Sequence, residues 1–359
     1  MPQRKVTISD IATAAGVSKT TVSRYINGRE DLLSDSARTR IKKAIEQAGY
    51  VPSAAARNLK ERKLLQVGIV LADIATPFST SLVIGAGEEL RRAGYAVVVC
   101  DAANSLQAEH EAIDALLQDQ VSGLIVNTVS ADNPELVRIA RSAAPVVLCD
   151  RYVNDCSADI VVNEYCDSTL ELMGHLREQG FGRAVFVTEP FENNSPRYIR
   201  MDAFLDADRR LFGAQRPEAD VCVIDPADTR SVRRAFARVC ADAEKADAPT
   251  AVFATNTAAL VAAHRALGEL GPQSGRAVRL CGPDEWGWAR RMGWDWAEEF
   301  AGGITTLEYQ PRKMGEKAAR LLLRRIENPG ARPREEIVRA RLRPRASTLR
   351  REGPGPERV

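Results

Sequence analysis

Val6–Gly28 reads VTISDIATAAGVSKTTVSRYING, and each part of it has a physical job. Thr7 with Asp10 has the Ser/Thr-x-x-acid spacing of a helix N-cap, and Ile8, Ile11 and Ala15 follow at helical spacing. Gly16 falls where that helix must stop and the chain must turn, which favours a residue tolerant of positive φ. Ser18 caps a second short helix whose inward side carries Val17, Val22 and Ile26. Its outward side carries Lys19, Thr20, Thr21, Ser23 and Arg24, short polar and long basic side chains suited to phosphates and to base edges in a major groove. A third helix follows Ser34, with Ile41, Ala44, Ile45 and Ala48 at helical spacing, and stops at Gly49. This is an all-α, helix-turn-helix DNA-reading head.

The charge distribution agrees. The chain carries +2 overall, but residues 1–63 hold 13 Lys/Arg against 6 Asp/Glu and the remainder 37 against 42. A basic head on a mildly acidic body is the asymmetry expected when one domain meets the phosphate backbone. In the head, Lys19, Thr20 and Arg24 are the candidate base readers, while Thr7, Ser18, Thr21 and Asn27 are placed to hold phosphates.

Tyr50–Lys60 reads YVPSAAARNLK. Pro52 cannot continue the preceding helix, Ser53 can cap a new one, and Ala54–Lys60 is a run of helix formers under two turns long. Such a helix is marginal in water by itself, so it forms only when something else orders it. The head and this segment, in this order, resemble the LacI/GalR family of bacterial transcriptional repressors, in which a helix-turn-helix, a third helix and a Tyr-x-Pro-x-x-x-Ala-Arg-x-Leu segment follow one another. The resemblance continues to about residue 348. It implies that two such hinge helices pair at the minor groove, with Leu59 as the wedge and Arg57 and Lys60 on the backbone or groove.

From Leu64 the chain alternates apolar, β-branched runs with amphipathic stretches: LLQVGIVLAD, YAVVVCD, VSGLIVNT, PVVLCD, RAVFVTE, VCVID, APTAVFATN and VRLCG. That rhythm predicts parallel sheets with helices on both faces. A body of roughly 280 residues exceeds one core and predicts two subdomains. The resemblance implies the periplasmic-binding-protein type I fold, with two doubly wound lobes. The expected organisation is a DNA-binding domain at 1–52, a hinge and linker at 53–63, and an effector-binding and dimerisation body at 64–348. Within the body, lobe 1 is expected at about 64–165 and 300–327 and lobe 2 at about 166–299 and 328–346, with crossovers near 162–166, 300 and 328. The end, ASTLRREGPGPERV from Ala346, reads as a basic disordered tail, with 349–359 outside the body. It has no leucine heptads, so a homodimer is expected rather than a tetramer.

Ligands of open α/β sheets sit beyond the carboxyl ends of strands. That rule selects Asp73–Phe78, Asp101, Asn127-Thr128, Asp150-Arg151, Thr188–Ser195, Asn256 and Asp284. Phe78, after Pro77, is placed to cover a ligand face. The resemblance implies an effector cleft between the lobes at Asn127, Asp150, Arg151, Arg200, Asn256 and Asp284; it gives no support to Asp101. Arg200 fits the family's Arg-x-x-Gly-aromatic pattern with Ala203 in place of glycine. Two further departures, Asn256-Thr257 for Asn-Asp and Gly282-Pro283-Asp284 for Gly-Tyr/Phe-Asp, point to a specialised pocket. Two arginines with amide and acid groups suit a polyhydroxylated carboxylate. The SKTTVSRYING, TEPFENNSPR and DEWGWARRMG segments resemble the subgroup that senses keto- and aldonic sugar acids, and Trp286 and Trp288 could form a sugar-stacking wall. A neutral sugar or a purine is the alternative effector.

The remaining inventory narrows the class. With no long apolar segment or signal peptide, a cytoplasmic regulator that meets no membrane is expected, against the alternative of a periplasmic-type sugar-binding protein. The seven scattered cysteines read as reduced small hydrophobes. His110, His175 and His264 have no metal-ligand spacing, and no phosphate loop, nucleophile elbow or catalytic pair is present, so no metal, no cofactor and no enzymatic activity are expected. The implied partners are double-stranded operator DNA, a small-molecule effector and a second copy of the chain.

Overall fold

The computed structural model describes residues 8–26, 33–48, 65–142, 144–271, 278–284 and 292–350. The chain forms two compact units, Met1–Leu65 and Gln66–Val359. In the first, α1 (Ile8–Ala15), α2 (Lys19–Ile26) and α3 (Asp35–Ala48) enclose a core of Ile11, Ala12, Ala15, Val22, Ile41 and Ala44. Gly16 makes the turn between α1 and α2 at φ +61°, a conformation that penalises any Cβ.

The second unit holds two six-stranded sheets. The first orders its strands β11-β5-β4-β3-β1-β2, all parallel: β1 (Gln66–Leu71), β2 (Ala96–Asp101), β3 (Leu124–Asn127), β4 (Val146–Cys149), β5 (Asp159–Asn163) and β11 (Glu335–Val338). The second orders them β12-β10-β9-β8-β6-β7: β6 (Arg183–Thr188), β7 (Val221–Val223), β8 (Thr250–Ala254), β9 (Val278–Asp284), β10 (Thr305–Glu308) and β12 (Arg341–Arg343). There only β12 runs antiparallel. The central strands β3, β4, β5 and β8 are buried along their whole length, as helices on both faces require, whereas the edge strands β2 and β7 are not.

Around lobe 1 lie α4 (Pro77–Arg92), α5 (Leu106–Gln118), α6 (Pro134–Ala140) and α12 (Pro311–Glu327). Lobe 2 has α7 (Cys166–Glu178), α8 (Ser195–Ala207), α9 (Thr229–Ala243), α10 (Thr257–Leu270) and α11 (Trp296–Glu299). Thr76, Ser105, Asn133, Asn194, Asp228, Asn256 and Asp295 cap their helices through side-chain oxygens. α12 lies so close to α4 that a Cβ on Gly85 would sit 2.0 Å from the Arg312 carbonyl, and one on Gly315 2.1 Å from that of Leu82.

The strand pairing departs from the expected lobe bounds. β10 joins β9 in lobe 2, and β11 joins β5 in lobe 1, so the second and third crossovers lie at residues 309–310 and 339–340 rather than near 300 and 328. Buried Thr305, Thr306 and Leu307 need cover on both faces, which the lobe 2 sheet supplies between β9 and β12. β11 is pinned by fully buried Asp159, whose carboxylate takes the Arg334 amide at 2.8 Å and the Arg325 guanidinium at 2.7 Å. The tail also departs from expectation as far as Arg350. Thr348 is buried between His175 Nε2 (2.7 Å) and Thr305 Oγ1 (2.6 Å), and Arg350 holds the Gln179 backbone; residues 351–359 lie outside the described residues.

One buried carboxyl makes stability depend on pH. Asp208, 1 % exposed in the π-helical turn after α8, is pushed up to about 7 by burial and by Asp220 beside it, against Arg183 and Arg209. Its unfolded value is near 3.8, so the folded chain binds the extra proton between the two values. That contribution is present below about pH 4 and lost as pH rises through about 7, bounded above by about 4 kcal/mol. The melting temperature of the parent chain should fall between pH 4.5 and 7.5, and Asp208→Asn should flatten that fall. Identical pH slopes for both proteins would exclude Asp208 as its source.

Candidate functional site

Two surfaces carry the candidate residues, one on each unit. On the head, Ser18 Oγ accepts the Thr21 amide at 3.1 Å and pairs with the Thr21 hydroxyl at 2.8 Å, so α2 begins with its cap satisfied. Ser18, Lys19, Thr20 and Arg24 are exposed and Thr21 is half-buried, leaving one polar and basic face open. Thr7, Asn27, Arg57, Leu59 and Lys60 lie outside the described residues.

In the body, the three crossovers all leave or enter at the carboxyl ends of the strands, so these ends of the two sheets face each other across a cleft. The lobes also touch directly, with Tyr152 N donating to Ser195 Oγ at 2.9 Å and Ala131 N to the Asn193 carbonyl at 3.0 Å.

Arg200, on the buried side of α8 and 6 % exposed, lies against residues of the first two crossovers. Its guanidinium carbon lies 4.5 Å from the centroid of the Tyr165 ring and 5.8 Å from that of Tyr309, and these rings meet edge-on at 5.3 Å. Burial opposes its charge, but Tyr309, Tyr165 and Asp150 together hold it protonated. Its Nε has no hydrogen-bond partner among the described residues. Burial, with Asp150 beside it, pushes the Tyr165 phenol well above its ordinary range, so the phenol keeps its proton and donates a hydrogen bond to Asp150 Oδ1. Asp150 also receives Asn163 Nδ2 at 3.4 Å and adopts φ +69°, an uncommon conformation for a residue with a Cβ. The backbone there is shaped to deliver this carboxylate.

The other candidates are more committed to the scaffold. Asn127 Nδ2 donates to the Cys149 carbonyl at 3.0 Å, tying β3 to β4. Arg151 donates one amino group to the Thr128 and Val129 carbonyls at 2.8 and 3.3 Å. Half-buried Phe78 packs at the edge of the lobe 1 core. Asn256 caps α10 through Oδ1, accepting Ala259 N at 2.8 Å. Asp284 Oδ1 accepts Trp296 Nε1 at 3.0 Å, so a core tryptophan meets this acid, whereas Trp286 and Trp288 lie outside the described residues. Asp101 accepts the Ile74 and Ala103 amides, tying the turn after β1 to the turn after β2.

Sequence reasoning missed Tyr165, Tyr309 and Arg197, and it selected Glu189 only within the stretch Thr188–Ser195 without giving it a role. Arg197 lies one helical turn before Arg200, and its guanidinium pairs with Glu189 Oε2 at 2.8 Å and with the Pro190 carbonyl at 2.8 Å. Burial and the nearby Arg151 and Arg200 push Arg197 down, and Glu189 opposes them. Arginine at i and i+3 beside a strand end was the available signal. Glu109 also escaped notice. Fully buried, it is raised by burial while accepting Val129 N (2.5 Å), Thr128 Oγ1 (2.9 Å) and Asn133 Nδ2 (2.6 Å), which fixes the loop that Arg151 braces.

Comparison with known proteins adds to this geometry. Residues 7–53 match the family model "Bacterial regulatory proteins, lacI family", and residues 173–348 match "Periplasmic binding protein-like domain". The HTH-type transcriptional regulator PtxS of Pseudomonas aeruginosa is 34% identical over 353 residues, covering 96% of this chain and 98% of its own. The HTH-type transcriptional regulator KdgR of Bacillus subtilis is 31% identical over 338 residues, covering 94% of this chain and 96% of its own. Among solved structures, a transcriptional regulator CelR–cellobiose complex has a TM-score of 0.65 at 25% identity, with 96% of this chain and 100% of that chain covered. The Lac repressor bound to ONPG, at 21% identity and TM-score 0.67 with 96% and 100% covered, shares the fold.

The cap on α2 gives a direct test of the head. Ser18→Ala should cost about 1 kcal/mol of local stability. Amides of Lys19–Ile26 should then exchange roughly fivefold faster by native-state hydrogen exchange. Unchanged exchange would mean the cap contributes nothing to holding this face.

Proposed function

Because this chain belongs to the lacI family of bacterial regulatory proteins, we propose that it is a dimeric repressor that a sugar carboxylate releases from a pseudo-palindromic operator. As a family member it is a DNA-binding, ligand-responsive transcriptional regulator. One observation carries the choice of effector. Arg200 is a buried cation whose Nε has no partner among the described residues, and a desolvated guanidinium with an unused donor is complementary to a carboxylate. Asp150 and the amides around it supply groups for vicinal hydroxyls. Asn127, Arg151, Asn256, Asp284, Phe78 and Trp288 stand as the further effector-binding proposals, the first four already holding scaffold bonds that a ligand must share or displace.

The relatives PtxS and KdgR are regulators by name, and we read the cleft as a sensing site rather than a catalytic one. We place the protein in the cytoplasm, with its operator DNA. Among the described residues, no helix is long and apolar enough to cross a membrane.

Regulation then follows by linkage. A ligand that favours one lobe arrangement biases DNA affinity by its differential binding, typically about 1–3 kcal/mol or roughly 5–150-fold. The proposed readers Lys19, Thr20 and Arg24 lie on the exposed side of α2. The proposed clamp residues Thr7, Ser18, Thr21, Asn27, Arg57 and Lys60, with the wedge Leu59, set affinity and bending.

Two experiments test this reading. Aldonic and keto-aldonic acids should raise the melting temperature of the full chain, by about 2.7 kcal/mol of stabilisation at a hundredfold excess over Kd. Arg200→Ala should abolish the response. Stabilisation by neutral sugars or purines alone would overturn the carboxylate argument. On operator DNA, Lys19→Ala or Thr20→Ala should lose about 1–3 kcal/mol of discrimination against altered base pairs. Thr21→Ala should instead weaken cognate and scrambled DNA alike, and equal losses across all three variants would refute the division of roles.

A further inference from the structure

The cleft already contains an anion of its own. Glu189 follows β6, and its side chain is 23% exposed. One of its oxygens, Oε2, receives both Arg197 and Asn256 Nδ2. A single carboxylate oxygen is thus shared between an arginine and an amide, from the first turn of α8 and the cap of α10. A carboxylate-bearing ligand would seek the same pair of donors.

Charge explains why the place is filled. Arg151, Arg197 and Arg200 lie close enough that the first and third both disfavour the charge on the second. Asp150 is engaged by Tyr165 and Asn163, which leaves Glu189 as the counterion of Arg197. Arg197 and Arg200 are three residues apart on one helix, roughly 4.5 Å along its axis, the spacing that puts two side chains on neighbouring positions of one helix face.

We infer that Glu189 is an intramolecular stand-in for the ligand's carboxylate, held on Arg197 and Asn256 until an acid ligand takes its place and bridges Arg197 to Arg200. This rests on the sugar-acid reading and deepens it. Neutral sugars cannot make the exchange, because they bring no charge to replace the one withdrawn from Arg197. The displaced carboxylate remains beside the ligand as a hydroxyl acceptor, so the fitting ligand is a polyhydroxy acid rather than a bare carboxylate. Arg197 and Glu189 therefore set selectivity, while Arg200 supplies the anchoring charge.

Isothermal titration of the full chain with D-gluconate and with D-glucose, its neutral counterpart, tests this in four proteins: the parent, Glu189→Gln, Arg197→Gln and Arg200→Ala. Glu189→Gln keeps the shape and removes the charge of the competitor, so gluconate should bind about tenfold more tightly, a difference of about 1.4 kcal/mol. Arg197→Gln should weaken gluconate about tenfold, and neither change should improve glucose binding. Gluconate binding to Glu189→Gln but not measurably to the parent would also support the exchange. If gluconate binds the parent and depends on Arg200, yet Glu189→Gln leaves it unchanged or weaker, the pair is only a structural ion pair and the exchange is wrong. If neither the parent nor Glu189→Gln binds gluconate, the exchange fails; if the keto-aldonic acids also leave the parent's melting temperature unmoved, the sugar-acid reading fails with it.

Discussion

Three short crossings at the carboxyl edges of two sheets constrain everything else in the body. Each is two residues long: Glu164–Tyr165 after β5, Tyr309–Gln310 after β10, and Arg339–Ala340 after β11. Connections this short tether the lobes closely, and a hinge between them would have to lie in these residues. Two of the three carry a tyrosine, and both tyrosines face the Arg200 guanidinium from lobe 2. The group best suited to hold a ligand is therefore packed on the segments that any rotation must bend. Gln310 Nε2 donates to the Arg339 carbonyl at 2.7 Å, so two of the crossings are also bonded to each other.

Buried charge is expensive, and its distribution here separates scaffold from site. Asp159 is fully buried but saturated by Arg325 and the Arg334 amide, and its work is to fasten α12 and β11 to lobe 1. Glu109 is likewise filled, by two side chains and an amide. Arg200 differs: Arg312, Arg324 and Arg325 also carry an unpartnered nitrogen but each is ion-paired with an acid, whereas Arg200, 6% exposed, packs on two tyrosine rings and keeps its Nε unused among the described residues. An enclosed group without a partner costs free energy unless something else supplies one. That difference, more than the number of polar residues at the cleft, singles out Arg200.

Much of this was legible in the sequence, for reasons that particular residues make clear. Gly16, Ser18 and the apolar spacing of α1–α3 act locally, so the head could be read directly. The parallel sheets followed from continuous apolar runs such as Leu124–Val126 and Val146–Cys149. Strand partnership was not legible. Thr305–Glu308 and Glu335–Val338 are short, and nothing in their own pattern says which sheet each completes. Position at a strand end found Arg200 and Asp150, but it could not reveal that Asn256 Oδ1 was already spent on a helix cap. Nor could it show the Glu189–Arg197 pair, which depends on how α8 meets the end of β6. Thr348 shows the same limit, since a polar tail reads as solvent-exposed until its hydroxyl finds His175 and Thr305.

The coupling between ligand and DNA needs no continuous wire of contacts. It requires that both bind one protein with two arrangements and that each prefers one of them. The body joins its lobes through three short crossings and ties them at Tyr152–Ser195 and Ala131–Asn193, the contacts a second arrangement would have to exchange. Because binding free energies are reciprocal, a ligand that lowers operator affinity by some factor must itself bind the operator complex more weakly by the same factor. A cleft whose own carboxylate competes with the ligand fits that logic. The competitor lowers ligand affinity without weakening the anchor at Arg200, so the response is set where ligand is abundant rather than at its first trace.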